Sequence, residues 1–508
     1  MTSLTATHVC DQDAAAAYAV PRDSFLIREV PAGPTSFACA EGPFEHYLRT
    51  VDIVEVDGDI EVTETFEFRV AAPVWRVLLT PPIKRALRDG RTTVPWWAPP
   101  DRFDAATART ISLLCIGMIV TGYLGAIIGQ TATFASDEFG TSDRAQGFLF
   151  AAVRLGTLLT VVITATADRQ GRKRMLLIAL TLGCSLTTLG ALSTGLWSLG
   201  ASQAVSRGMA TAISILIGIM AAEAAPRNSR AYVTSVLVLT AALGAGMVVW
   251  ILPLADLGVR SWRLIYLVPA LGLPLTWWLG RNLQETDRFD ALRRDNRSAA
   301  GDNAAAMLLS RLVLIAVTGF LLGFFAAPAS QFRNDFLRDE RGFTAAQVSL
   351  FVIATNTPVG IGVAIAGKNA DRRGRRQIGA FAVFGGAMLT IATYAFSGWG
   401  MWMASVLAAI IGSMAAPALG VYGAEMFGTA RRGRANGIVS LVSLAGSAAG
   451  LLVVGDLADR LGSFAQAFAI IAIAPIIVVV LVLTLFPETA HRELEDINPG
   501  DRPPITPP

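Results

Sequence analysis

The chain has 508 residues, of which 53% are apolar and only 16% charged, with a formal net charge of +3 and a mean hydropathy of +0.51. A soluble chain of this length carries about a quarter charged residues; here the charge gathers in the first hundred residues and in short bursts between apolar runs of bilayer-spanning length, about 20 residues. These totals exclude an ordinary soluble enzyme, and the four cysteines, Cys10, Cys39, Cys115 and Cys184, have neither zinc-site spacing nor a disulfide framework.

Residues 1–105 differ from the rest. Nothing in the first thirty residues has the pattern of a signal peptide, so the N-terminus is expected on the cytoplasmic side. Arg49 to Val56 and Asp59 to Val70 predict a β-hairpin about Asp57-Gly58, a pair suited to a type I′ turn. The second strand places Ile60, Val62, Phe66, Phe68 and Val70 on one face, with Glu64 the exception. A lone hairpin is marginal, so this region is expected to order against the membrane or another chain. Val74 to Leu87 predicts an amphipathic helix lying on the membrane, broken at Pro81-Pro82, and Trp96-Trp97 an interfacial belt before the first span.

Apolar spans follow at about 109–133, 147–167, 175–195, 199–222, 232–254 and 263–281, and again at about 308–329, 347–367, 378–397, 400–424, 437–455 and 464–486. Loops after even spans hold nineteen Lys and Arg residues and loops after odd spans seven, which places the even loops and both termini in the cytoplasm. The expected fold is an all-α membrane protein of 12 transmembrane helices in two six-helix bundles, 106–285 and 307–490. A cytoplasmic linker, 286–306, joins the bundles, and a tail, 491–508, follows them.

The chain repeats itself. Asp168-Arg169-Gln170-Gly171-Arg172 recurs as Asp371-Arg372-Arg373-Gly374-Arg375, Glu223 with Arg230 recurs as Glu425 with Arg432, and Glu285-Thr286 as Glu488-Thr489. The offsets are all 202 or 203 positions, which implies parallel six-helix repeats with a cavity between them. Gly367 to Arg376 matches in full the signature Gly-x-x-x-Asp-Arg-x-Gly-Arg-Arg/Lys, and the first copy departs only at Thr164, where glycine is expected. On these motifs residues 109–496 resemble the major facilitator superfamily, and Glu425 to Thr429 and Pro487 to Thr489 resemble its sugar-porter and metabolite-symporter branches. Residues 1–100 bear only a faint likeness to part of a helix-grip lipid-binding domain.

Gly171 and Gly374 permit the tight reversals between helices. Asp168 and Asp371 end helices, where the dipole opposes an anion, so each needs an outside partner. The resemblance implies that these partners are arginines and a helix N-terminus across the gap between the halves, from Glu223, Arg230, Glu425, Arg431 and Arg432. Arg169, Arg172, Gly367, Arg372 and Arg375 complete the expected gate, with the arginines serving otherwise as topology determinants.

Ionisable groups inside spans are functional suspects. Arg154 and Arg207 both lie roughly 12 Å from the outer face, and two guanidinium groups at one depth suit a carboxylate or phosphate. Tyr123, Gln130 and Asn356 are the further substrate-contact candidates, each with a packing role as its alternative. Gly244-x-Gly246 and Gly446 to Gly450 fit close helix contacts. No acid lies near the middle of a span, so proton coupling would use Glu223, Glu425 or a substrate-borne proton; uniport is the other option. The fifth span also lacks the Gly-Pro core of drug–proton antiporters.

The leading expectation is a plasma-membrane transporter, secondary active or facilitative, for a small organic metabolite, with organic anions ahead of sugars. Alternatives are efflux of hydrophobic compounds or lipids, and a membrane sensor with a transporter fold. No cofactor, metal, enzymatic activity or nucleic-acid partner is expected. The expected partners are the substrate and the bilayer, with protons the candidate coupling ion and a monomer the working unit.

Overall fold

A computed structural model describes residues 1–498 except 57–58, 91–93, 96, 142–148, 150–151, 286–301, 334–335, 344 and 430. The Asp57-Gly58 turn, Trp96 and most of the 286–306 linker therefore lie outside the described residues. The chain divides into two compact units, Met1–Leu114 with Ala224–Ser229, and Cys115–Glu223 with Arg230–Pro508.

In the first unit, β4 (Phe44–Val56) and β5 (Asp59–Val70) pair antiparallel from Phe44 opposite Val70 to Val56 opposite Asp59. They are not alone. β1 (Thr2–Cys10), β2 (Arg28–Pro31) and β3 (Ser36–Glu41) extend them into a five-stranded sheet of order β1-β5-β4-β3-β2. The helix Arg76–Arg88 runs through Pro81 and Pro82 without a break. Those prolines withdraw donors from the carbonyls of Val77 and Leu78, two exposed residues whose carbonyls water can serve. The buried side of this helix, Ile83, Ala86 and Leu87, packs with Phe44, Tyr47, Phe66 and Phe68 of the sheet. The expectation of a membrane-ordered hairpin with a broken surface helix is thus corrected: sheet and helix supply each other's apolar partner. Trp97 belongs to the same cluster, with its ring 6.0 Å from that of Phe25.

The exception in the β5 alternation has a physical cause. Glu64 lies on the buried face at 0% exposure, where Arg49 approaches to 2.9 Å and Arg22 to 2.6 Å. Arg49, itself fully buried, also pairs with Glu29 at 2.6 Å, and the Tyr47 hydroxyl donates to Glu29 at 2.5 Å. Burial, with the Glu29 carboxylate beside it, pushes the Tyr47 phenol well above its usual range, so it remains a donor. Two cations and two anions balance in the core, the condition under which buried charge is tolerated. Glu64→Gln should cost about 2 kcal/mol, read as a lower melting temperature of this unit's near-ultraviolet circular dichroism in the full chain.

Beyond the sheet and its helix the apolar runs form long helices. Among the described residues nine helical stretches are long and apolar enough to cross a membrane, from Ala105–Ala132 to Phe464–Thr484. The three remaining predicted spans fall on shorter or interrupted helices: Leu158–Gln170, Arg172–Gly190, and Arg263–Leu267 continued by Gly272–Asn282. The last is interrupted by a 3₁₀ turn, Val268–Leu271, that holds Pro269. Large apolar side chains such as Leu158, Val162, Trp250, Ile477 and Val480 face outward, a surface only a bilayer can cover. This is an all-α, multi-pass membrane fold. Its repeat is visible in the packing: a Cβ on Gly244 would strike the Ile119 carbonyl, and one on Gly446 the Phe320 carbonyl.

Candidate functional site

The helices Leu158–Gln170 and Arg172–Gly190 reverse at Gly171, with φ 105° and ψ 141°, and Val359–Arg373 and Arg375–Ala395 reverse at Gly374, with φ 103° and ψ 139°. Only glycine enters that region without strain. A glycine also cannot cap the helix that follows it. Glu285 accepts from the Lys173 amide at 3.0 Å, and Glu488 from the Arg375 and Arg376 amides at 3.0 and 3.2 Å. These two carboxylates satisfy donors that a helix start leaves open.

The two aspartates reach across the halves. Asp168 accepts from the Gly433 and Arg434 amides at 3.0 and 2.8 Å, at the start of the helix Arg432–Leu461. Asp371, 1% exposed, accepts from the Tyr232 amide at 2.9 Å, at the start of Arg230–Ile251. An anion that opposes the dipole of its own helix thereby meets the favourable end of another.

Behind each aspartate lies a buried carboxylate held between two guanidinium groups. Glu223 pairs with Arg172 of its own half and with Arg432 of the other. Glu425 pairs with Arg375 of its own half and with Arg230 of the other, at 3.2 Å for the latter. Arg375 also bonds Asp371 at 3.0 Å and Thr489 at 2.9 Å, and Arg172 donates to the Thr429 carbonyl at 2.8 Å. Each such charge-assisted bond contributes about 1.5–3 kcal/mol relative to leaving its partners unmet. The result is one cross-half ion-pair cluster, a latch in form, built twice from the same residue types.

The departure at Thr164 is answered on the facing helix. In the second copy, a Cβ on Gly367 would collide with Ser235. In the first copy, Thr164 fills that place at 0% exposure, and the glycine stands opposite, at Gly437, where an added Cβ would come 2.6 Å from the Thr164 hydroxyl. Close approach survives because the small and large residues have changed sides.

Arg169, Arg372 and Arg431 are exposed, and among the described residues no ion pair involves them. The latch uses Arg432 where Arg431 was an equal candidate. Sequence reasoning passed over Arg311 and the segment from Arg492 to Asn498. Arg311 donates to the Ile497 carbonyl at 3.2 Å, Asn498 donates to the Glu425 carbonyl at 2.7 Å, and the Arg492 carbonyl accepts from Arg230 at 3.1 Å. The described part of the expected tail is thus packed onto the second latch. The duplicated Glu285 and Glu488 were the one sequence signal for capping residues.

At the opposite end the ties seen among the described residues run within each half. Glu138 bonds Arg263 at 2.9 Å and Trp262 at 2.7 Å, and Glu340 accepts from the Phe464 amide at 2.8 Å. Between the two ends lie the polar candidates. Arg207 donates to the Gly125 carbonyl at 2.6 Å and is otherwise exposed; Arg154 is half-buried. Among the described residues neither meets a carboxylate. Gln130 is exposed. Tyr123 is packed in the core, and its hydroxyl donates to the Ile265 carbonyl at 2.7 Å. Asn356 accepts from Arg333 at 3.1 Å, and both line a cavity of about 420 Å³ with Ser330, Thr390 and Ser405. Arg333 was read as a loop residue and is a cation at this cavity.

The Major Facilitator Superfamily model matches residues 111–333 and 329–506. A Haemophilus influenzae protein named for metabolite transport is 26% identical over 403 residues, 75% of this chain and 96% of its own length. A D-xylose transporter of Levilactobacillus brevis is 27% identical over 176 residues, 34% of this chain and 38% of its own length. Among solved structures, a proton:xylose symporter aligns with a TM-score of 0.67 at 16% identity, covering 78% of this chain and 99% of its own. A human organic anion transporter aligns with a TM-score of 0.60 at 14% identity, covering 74% and 99%. The family match, with the duplicated latch, leads to one conclusion: the chain belongs to the Major Facilitator Superfamily.

Proposed function

We propose that the chain is a secondary transporter that moves a small organic metabolite, sugar-like or anionic, across the plasma membrane by alternating access. Twelve spans in two six-helix bundles, with the latch and both termini at the cytoplasmic face, are part of this reading. Its supports are helices at all twelve predicted positions and the excess of Lys and Arg in the loops at the latch end. The observation that carries it is the latch made twice from the same residue types, closing one end while, among the described residues, bonds at the other end stay within each half. Such a pair of rigid bundles can rock about a midplane site. Opening inward then requires Asp168, Glu223, Asp371 and Glu425 to leave their cross-half partners.

Arg154, Arg207 and Gln130 in the first half, with Asn356 and Arg333 in the second, form the proposed substrate-facing set. Tyr123 positions the first span through Ile265. Cationic groups that meet no carboxylate among the described residues favour a substrate bearing a carboxylate or phosphate, while the xylose transporter among the relatives supports a sugar. Counterflow in proteoliposomes with labelled monosaccharides and monocarboxylates tests the reading. Saturable exchange is expected for one class, and Arg207→Ala should lower it at least about tenfold with normal insertion. No exchange of either class, or an unaffected Arg207→Ala, rejects the substrate site.

A further inference from the structure

We infer that the N-terminal unit presets the inner latch through Asp101, an inference that rests on the gate proposed above. The segment Ala224–Ser229 follows Glu223 directly and precedes Arg230 directly, so six residues join the two copies of the latch. Yet this segment packs as one unit with Met1–Leu114. The bonds explain why. The Asp101 amide donates to the Ser229 hydroxyl at 3.0 Å, and the Asp101 carboxylate accepts from the Asn228 side chain at 3.0 Å and its amide at 3.2 Å. Thr107 donates to the Ala224 carbonyl at 3.3 Å. Both ends of the segment are therefore held by residues that precede or begin the first membrane helix. Ser229 is fully buried, so its hydroxyl has no solvent to fall back on.

Asp101 is in turn fixed by the sheet domain. Its neighbour Arg102 pairs with Asp23 at 2.5 Å and Glu41 at 3.2 Å, and donates to the Ser24 carbonyl at 3.2 Å. Trp75 donates to the Ser112 carbonyl at 3.0 Å, tying the domain to the first membrane helix. A chain of contacts thus runs from the sheet through Arg102 and Asp101 to the turn Arg227–Ser229. By chain continuity that turn sets where Glu223 and Arg230 begin, and these belong to different copies of the latch. One clasp therefore biases both copies. Asp101 is a positioning residue: it touches neither substrate nor latch, and it holds the backbone from which two latch side chains extend.

Hydrogen exchange of the full-length protein in nanodiscs, read by mass spectrometry, tests this. The Gly433 and Arg434 amides report one copy of the latch and the Tyr232 amide the other. Asp101→Ala should speed exchange in both peptides about tenfold, and Arg102→Ala should do the same. Asp101→Asn keeps an acceptor for the Asn228 side chain, so it should fold normally and exchange at an intermediate rate, which separates a loosened clasp from a misfolded domain. Asp371→Asn is the control and should speed exchange at Tyr232. If that control changes nothing, the gate reading itself fails. If it responds while Asp101→Ala alters only the peptide over 224–229, the gate stands and the clasp inference is overturned.

Discussion

Glu425→Ala should be the most damaging single change in the latch, costing about 3–5 kcal/mol. The carboxylate is fully buried between Arg375 and Arg230, and both guanidinium groups are nearly inaccessible to water. Removing it leaves two cations close together with Asp371, which is already engaged by Arg375 and the Tyr232 amide, and with the half-exposed Glu493, 3.8 Å from Arg230. The expected results are a melting temperature lowered by several degrees and faster labelling of cysteines placed at the latch end of the second half. Glu223→Ala should act alike through Arg172 and Arg432. A variant that removes charge in matched fashion, Glu425→Gln with Arg375→Met, should recover stability without recovering closure. Wild-type stability for Glu425→Ala would mean that water reaches these arginines and that the site is not the sealed latch its burial indicates.

The second large effect concerns the exchanged residues at the first latch. Gly437→Ser should destabilise the closed latch end by about 2–3 kcal/mol, because the new Cβ meets the Thr164 hydroxyl at 2.6 Å and the Val161 Cα at 3.0 Å. Thr164→Gly alone should cost about 1–2 kcal/mol through a small void and the loss of a well-packed side chain. Together they recreate the Gly367 and Ser235 arrangement of the other copy, and the double variant should be more stable than the sum of the singles by at least about 1 kcal/mol. Melting temperatures of the four proteins in one detergent close the cycle. Simple additivity would show that the two residues do not share the space their geometry assigns them.

Much of this could be read from the sequence because the latch occurs twice. Asp168 and Asp371, Glu223 and Glu425, and the turn glycines are recognisable by their shared offset, and span length and charge placement set the helices. What could not be read was which guanidinium meets which carboxylate. Arg172 and Arg169 are equally basic and three residues apart, yet only the first points into the bundle; the same holds for Arg432 against Arg431. Helical phase at a loop boundary is too uncertain to choose between them. The N-terminal sheet was half visible. β5 alternates strongly, but β1 reads Thr-Ser-Leu-Thr-Ala-Thr-His-Val-Cys, too weakly apolar to register as a strand until β5 pairs with it. Glu64 looked like a flaw in the pattern because its partners lie 15 and 42 positions away. Arg333 was assigned to a loop because its span was ended at 329.

That each copy of the latch has its own buried carboxylate and its own pair of guanidinium groups has a kinetic consequence. Two fasteners with separate charges can release one after the other. The inward swing should then pass through a state in which one is undone and the other still grips, and the ion-pair energy need not be surmounted in a single climb. Because the copies differ in detail, with Thr164 and Gly437 in one and the docked segment around Arg492 and Asn498 in the other, they should release in a fixed order. Turnover by such a protein would show two resolvable relaxations where a single shared bolt would show one.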